Sequence, residues 1–313
     1  MAILEIHDIV KKYSDHLALN KVSLNVREGT IFGLLGPNGA GKTSMIRIIN
    51  QITAPDEGTL LYKGEKLSTK HILEFGYLPE ERGLYKKMKV GEQALYLAQL
   101  RGVKRTDALI RLKYWFDKFE IQAWWGKKVE ELSKGMQQKI QFIITILHEP
   151  KFLIFDEPFS GFDPINVNLL KQEILKMKEN GATLILSTHN MASVEELCDD
   201  ILLINKSTNL LDGSVSDIRK QYKTNTYSVV YNGTVNVFEA SLRHQYKIES
   251  HTEKDGQHKF LFKLTDPEVT TNMLIAGLLP LGNLVSFTEV LPTMNDIFIQ
   301  VVGDACKNIE NVN

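Results

Sequence analysis

Residues 30–50 read as three pieces: an apolar run, TIFGLL, a glycine-rich turn, GPNGAGKT, and an apolar-periodic segment, TSMIRIIN. The turn runs from Gly36 to Thr43 with the spacing G-x-x-x-x-G-K-[ST]. It restricts the fold tightly, because it has a use only where a buried strand ends and a helix begins. There the backbone of Gly36, Pro37, Asn38, Gly39, Ala40 and Gly41 curls into a concave nest whose N–H groups converge on an anion. The helix dipole adds to the attraction. Lys42 brings a cation to the terminal phosphates of a nucleotide, and the Thr43 hydroxyl suits Mg²⁺. Ser44 follows in the first helical turn. A chance glycine turn would lack the strand before it and the helix after it.

The flanking segments extend this into an α/β fold. AILEIHDIV and ALNKVSLNV alternate and are rich in β-branched residues, which predicts an antiparallel pair. GTLLYKG predicts a further strand and turn. From about Leu84 to Pro150, apolar residues recur at three- and four-residue spacing, which predicts a helical subdomain. KFLIFDEP and ATLILSTH are apolar runs bounded by polar residues, the pattern of strands buried on both faces. Between them INVNLLKQEILKMKENG reads as a helix ending at Gly181, so the three form a parallel crossover. DDILLINKSTNLLDG predicts a hairpin and SVSDIRKQY a short helix. The pattern breaks at Lys223 to Asn225, which predicts a first domain over 1–222 and a second over 226–313. The second domain reads as strand TYSVVYN, helix FEASLRHQY, strands KIES and HKFLFKL, helix VTTNMLIAGLL, strand NLVSFTEVL and helix MNDIFIQVV. That is a small α+β unit of the split-βαβ kind.

Three further segments carry chemistry. FLIFDEP places Asp156 and Glu157 at the end of a buried strand, where ligands of parallel sheets sit. Asp156 fits a carboxylate that holds Mg²⁺, and Glu157, pointing elsewhere, fits a group that polarises an attacking water. Alone, such a pair is a solvated strand end; downstream of GPNGAGKT it has a ligand to serve. His189, in LILSTHN, ends another buried strand and is a candidate γ-phosphate sensor, the alternative being a structural strand-end histidine. In LSKGMQQKIQF, Ser133 and Gly135 open an apolar-periodic segment, a second helix start suited to an anion.

The totals narrow the classes. The chain has 313 residues, 43% hydrophobic and 24% charged, enough to bury a core. A formal net charge of -1 argues against a nucleic-acid partner. MAILEIHDIVKKY alternates and carries early charges, unlike a secretory leader. No run approaches the roughly 18 apolar residues of a membrane span. Cys198 and Cys306 have no metal-ligand spacing and fit small packing residues in a reducing, cytoplasmic setting.

Tyr13, GPNGAGKT, LPEERGLY, LSKGMQQK, FLIFDEP, SGFD and STHN stand in the order and spacing of an ABC-type ATPase. The chain resembles the ATP-binding subunit of an ABC transporter, in particular the bacterial ABC-2-type export subunits related to sodium-efflux ATPases. The resemblance covers about Met1 to Tyr222, and relatives with LPEERGLY often carry a C-terminal domain. It implies a P-loop NTPase cassette with ATP and Mg²⁺ as cofactors. Two cassettes, identical or different, would pack head to tail, with ATP between the loop of one and Ser133 and Gly135 of the other. Tyr13 would stack on adenine, although by sequence it is a half-exposed ring. Ser160 and Asp163 would belong to a loop crossing the interface.

Two positions depart from the family pattern. Lys134 and Met136 replace residues of the LSGGQ signature. Glu80 stands where a glutamine is expected and remains a candidate metal contact. The resemblance further implies a separate transmembrane permease as partner, docked on the helical segment beginning GLYKKMKVGEQALYLAQL. The protein would then lie peripherally on the inner face of the cell membrane. The alternative is a soluble ABC ATPase working on ribosomes or DNA. Such proteins usually carry paired cassettes or long coiled coils, and neither feature is present in this sequence.

Overall fold

The computed structural model describes residues 1–81, 83–233, 246–266 and 268–310. The chain divides into two compact units, Met1–Val215 with Val301–Asn313, and Ser216–Gln300.

In the first unit the expected antiparallel pair is β1 (Ala2–Tyr13) and β2 (His16–Arg27), paired from Ala2 opposite Arg27 to Tyr13 opposite His16 with shifts of register along the way. The glycine turn follows β3 (Ile31–Leu35) and leads into α1 (Lys42–Ile49). β4 (Glu57–Tyr62) pairs with β1, and β5 (Glu65–Lys66) returns across Lys63 and Gly64. Both turn residues have left-handed φ, 53° and 79°, the geometry that matches the twist of a tight hairpin. This sheet has the order β2-β1-β4-β5.

The second sheet contains β3, β6 (Phe75–Leu78), β7 (Phe152–Asp156), β8 (Thr183–Ser187), β9 (Asp200–Asn205) and β10 (Thr208–Ser214). Its order is β10-β9-β3-β8-β7-β6, parallel except for the β9–β10 hairpin. Every residue of β3, β7, β8 and β9 is buried, as the apolar runs of β7 and β8 predict. Met45, Ile46, Ile48 and Ile49 of α1 share one core with Phe32 and Leu34 of β3, Ile154, Ile185 and Leu202, and with Leu4, Ile6 and Leu24 of the other sheet. Burial of each such side chain contributes about 1.5–3 kcal/mol, against roughly 0–1 kcal/mol for a surface ion pair. Apolar packing therefore fixes where α1 begins.

Between β6 and β7 the chain is helical, as the periodicity predicts. α2 (Thr69–Ile72) precedes β6; α3 (Val90–Leu100), α4 (Arg105–Lys118) and α5 (Lys134–Ile146) follow it. The Trp125 ring covers the bare Cα of Gly91, where a side chain would collide with it. α6 (Pro164–Glu179) is capped by Asp163, whose carboxylate accepts from the Ile165 and Asn166 N–H groups at 3.1 Å each. It ends two residues before Gly181, at φ 83°, with Asn180 as its C-cap. α7 (Met191–Leu197) follows β8, and α8 (Val215–Gln221) follows β10.

The second unit holds β11 (Thr226–Gly233), β12 (Tyr246–Lys254), β13 (Gln257–Leu264), α9 (Thr271–Leu278) and β14 (Gly282–Val290). The last helix, α10 (Met294–Glu310), follows. The antiparallel order β12-β13-β11-β14 is that of a split βαβ, as expected. Tyr227, Val229, Tyr231, Phe260 and Phe262 pack with Leu274 and Leu278 of α9. The helix expected over FEASLRHQY lies outside the described residues, apart from Tyr246, and the side chain of Cys306 is likewise not described. Cys198 is buried, and burial pushes its thiol up to about 12, which fits a packing role. Among the described residues no helix is long and apolar enough to cross a membrane.

Candidate nucleotide-binding site

Parallel strands deliver their C-terminal ends to one edge of the sheet, and three of them build this site. β3 delivers the glycine turn, β7 delivers Asp156 and Glu157, and β8 delivers Thr188 and His189. The turn is close-fitting. Gly36 (φ 147°) lies against the Ile204 carbonyl and Gly41 (φ 115°) against the Ala18 carbonyl; a Cβ at either position would collide with that oxygen. Gly41 precedes the first residue of α1, and no side chain caps that helix. The first-turn N–H groups therefore face the cleft without a side-chain acceptor.

A cleft of about 410 Å³ gathers Tyr13, Asn38, Gly39, Gly41, Lys42, Thr43, Ser44, Glu80, Asp156, Glu157, Ser160 and His189. Gly36, Pro37 and Ala40 complete the turn beside it. Lys42 is buried and folds back on the turn, its Nζ donating to the Gly36 carbonyl at 2.7 Å and the Pro37 carbonyl at 3.1 Å. Desolvation lowers its pKa, opposed by Glu157, Asp156 and Glu80. Asp156 is 3% exposed. Burial, with Glu80 and Glu157 nearby, pushes its carboxyl up to about 6, against the pull of Lys42.

Glu157 has left-handed backbone (φ 47°), and its N–H donates to the Ser187 carbonyl at 2.9 Å. This bend turns its side chain toward β8, where Oε1 stands 2.7 Å from His189 Nδ1 and Oε2 accepts from the Thr188 hydroxyl at 3.4 Å. The His189 side chain is 73% exposed. Tyr13 is half-exposed beneath Lys11, whose Nζ is 5.4 Å from the ring centroid.

Ser133 and Gly135 do not line this cleft. Ser133 caps α5, its hydroxyl accepting the Met136 N–H at 3.3 Å. Gly135 abuts the Gly161 carbonyl closely enough to exclude a Cβ, so the start of α5 rests on the SGFD turn. Sequence reasoning missed His16 and Ala18, which also line the cleft. The available signal was the turn at Ser14 and Asp15, which folds β2 back beside Tyr13.

The comparisons with known proteins agree with this geometry. The family described as "ABC transporter" matches residues 19–160, and the "ATP-binding protein DrrA1-3-like, C-terminal domain" matches 213–302. The chain is 36% identical to the uncharacterized ABC transporter ATP-binding protein YhaQ of Bacillus subtilis, over 96% of this chain and 99% of that protein. It is 27% identical to the bacitracin transport ATP-binding protein BcrA of Enterococcus faecalis, over 96% of each. A solved ATP-binding subunit of an ABC transporter matches with a TM-score of 0.66 at 30% identity, covering 70% of this chain and 93% of that one. The cassette fold, the phosphate-binding turn at its sheet edge and a relative spanning almost the whole chain converge on one conclusion: this chain belongs to the ATP-binding subunits of ABC transporters, which are ATPases.

Proposed function

We propose that the protein is the motor of an ABC exporter, hydrolysing Mg-ATP between two cassettes packed head to tail and driving a separate transmembrane permease. The observation that carries this reading is the division of the predicted residues. The cleft of one chain gathers Lys42, Thr43, Asp156, Glu157 and His189, while Ser133 and Gly135 lie outside it. A second cassette, like or unlike this one, would supply the missing phosphate contacts. A transport role follows the name of the bacitracin relative, and export is the direction that the resemblance to ABC-2-type subunits implies. Among the described residues no helix is long and apolar enough to cross a membrane; in this reading a separate polypeptide supplies the permease, and this chain lies at the inner membrane face through it.

The residues fit a magnesium nucleotide. One buried cation, Lys42, faces three carboxylates, Glu80, Asp156 and Glu157. A triphosphate added to that set requires a divalent cation. Among the described residues no group of three His, Cys, Asp or Glu side chains forms a ready metal cage. Mg²⁺ takes one or two protein oxygens and the rest from phosphate and water. Thr43 and Asp156 would hold it, with Glu80 beside them; when bound, it neutralises phosphate charge. The open N–H groups of the turn seat the phosphates, and Lys42 leaves its two carbonyls to meet them. Glu157 accepts the proton of the attacking water, and His189 holds the Glu157 carboxylate in place and faces the γ-phosphate. Tyr13 stacks on adenine. The second domain, from about Thr226, is a regulatory or dimer-contact domain without catalytic residues.

Replacing Glu157 by Gln should lower turnover by about 10²–10⁴-fold while ATP binding persists, so that ATP-bound dimers accumulate in size-exclusion chromatography with Mg-ATP. Near-normal hydrolysis by the variant removes Glu157 from this role.

A further inference from the structure

The second unit carries a group of side chains that ATP hydrolysis does not use. β12 and β13 meet at Asp255 and Gly256, both left-handed (φ 53° and 73°), in a two-residue turn that pairs Lys254 with Gln257. Such a turn fixes strand register. In that register Glu253 stands opposite His258 and His251 opposite Phe260. Side chains two apart share a face of a strand, so all four project from the same side. The His251 ring lies flat on Phe260, with centroids 4.3 Å apart and 5° between planes. Its Nε2 stands 3.3 Å from His258 Nδ1. The Glu253 carboxylate lies 3.8 Å from the same Nδ1.

Two nitrogens bound at about 2.0–2.1 Å to one tetrahedral ion lie about 3.3 Å apart. The hairpin holds the two imidazoles at that spacing. We propose that His251 and His258 form a chelating pair for a divalent transition-metal ion, of which Zn²⁺ is the representative. Glu253 supplies neighbouring negative charge, and water fills the remaining positions. Imidazole favours zinc, copper and nickel over magnesium, so this site is chemically separate from the nucleotide cleft. Without metal, one ring donates an N–H to the other. Uptake requires that both facing nitrogens present a lone pair, so the donor ring must carry its proton on its other nitrogen. Two protein ligands make the site an exchangeable one, unlike a closed structural zinc centre.

The test uses the full-length, tag-free protein after chelator treatment, titrated with Zn²⁺ by calorimetry. His251→Gln and His258→Gln are compared with wild type and with His7→Gln, a histidine whose side chain is 49% exposed elsewhere in the chain. Wild type and His7→Gln should take up one ion that both hairpin variants bind at least about tenfold more weakly. The ring-proton NMR signals of His251 and His258 should shift together as Zn²⁺ is added. Equal uptake by wild type and both hairpin variants overturns the proposal, as does a wild type whose two ring signals stay fixed. Should a variant fail to fold, the ring shifts of the wild type alone decide.

Discussion

Two helices of this chain begin with anion-receptive ends, and they begin in opposite ways. α1 follows a glycine at φ 115° and has no side-chain cap, so its donors stay open to the cleft. α5 follows Ser133, whose hydroxyl occupies the Met136 N–H at 3.3 Å. Around α1 the charges are poorly satisfied: a buried Lys42 of lowered pKa faces a buried Asp156 of raised pKa. The start of α5 carries no such conflict and rests on the Gly161 carbonyl. The contrast teaches how work is divided in such a site. In the proposed reading, the end that keeps its donors open is built around its own ligand, and the end that satisfies itself would meet a ligand carried by another cassette.

The strongest attack on that comparison is complementation. Lys42→Ala and Ser133→Arg should each leave a homodimer nearly inactive, since each damages half of both composite sites. A purified heterodimer, co-expressed with two tags, contains one site with an intact Lys42 and an intact Ser133, and should regain measurable ATPase activity. Activity no higher than in either homodimer would break the division between the two helix starts. Wild type paired with Lys42→Ala reports whether one site turns over alone.

Smaller effects sharpen the comparison without nucleotide. Gly41→Ala forces a Cβ toward the Ala18 carbonyl at a left-handed φ and should cost about 1–3 kcal/mol in urea unfolding. Ser133→Ala loses only a cap and should cost about 1 kcal/mol. Equal losses at the two ends would erase the structural distinction between them.

The far end of α5 gives the smallest effect. His148 Nε2 donates to the Phe75 carbonyl at 3.2 Å, and burial, with Arg101 and Arg111 nearby, pushes its pKa down to about 4. The unfolded chain, titrating near 6.5, takes up that proton first. The contribution is therefore fully present above about pH 6.5 and is lost as pH falls toward 4. Partial exposure limits it to the order of 1 kcal/mol. His148→Gln should flatten this part of the stability curve, read from urea midpoints at about pH 7 and about pH 5.

Much of the cassette is legible in the sequence because its pieces are local. GPNGAGKT needs only a strand before it and a helix after it, and FLIFDEP and LILSTHN carry their site residues at the strand end itself. What is not legible depends on register or distance. FGYL is a four-residue strand interrupted by Gly76, too short to announce β6. His16 and Ala18 reach the cleft only because β2 folds back on β1, and no motif marks them. The separation of Ser133 from the cleft is likewise a fact of three dimensions. His251 and His258 become neighbours only once the Asp255–Gly256 turn sets their strands in register.

The position of β3 has a consequence for synthesis. Ile31 pairs with Leu184 and Phe32 with Asp200, and Gly36 seats against the Ile204 carbonyl. Both neighbours of the central strand therefore leave the ribosome long after it does, at usual elongation rates roughly 10–35 s later. Throughout that interval the apolar run Ile31–Leu35 has neither sheet neighbour, and the cradle at its end has its Ala18 wall but not its Ile204 wall. A nascent chain that ends before His189 still lacks a wall of the nucleotide cleft. The part of this segment's apolar environment already made by then is the antiparallel β1–β2 pair, whose Leu4, Ile6 and Leu24 share a core with Phe32 and Leu34.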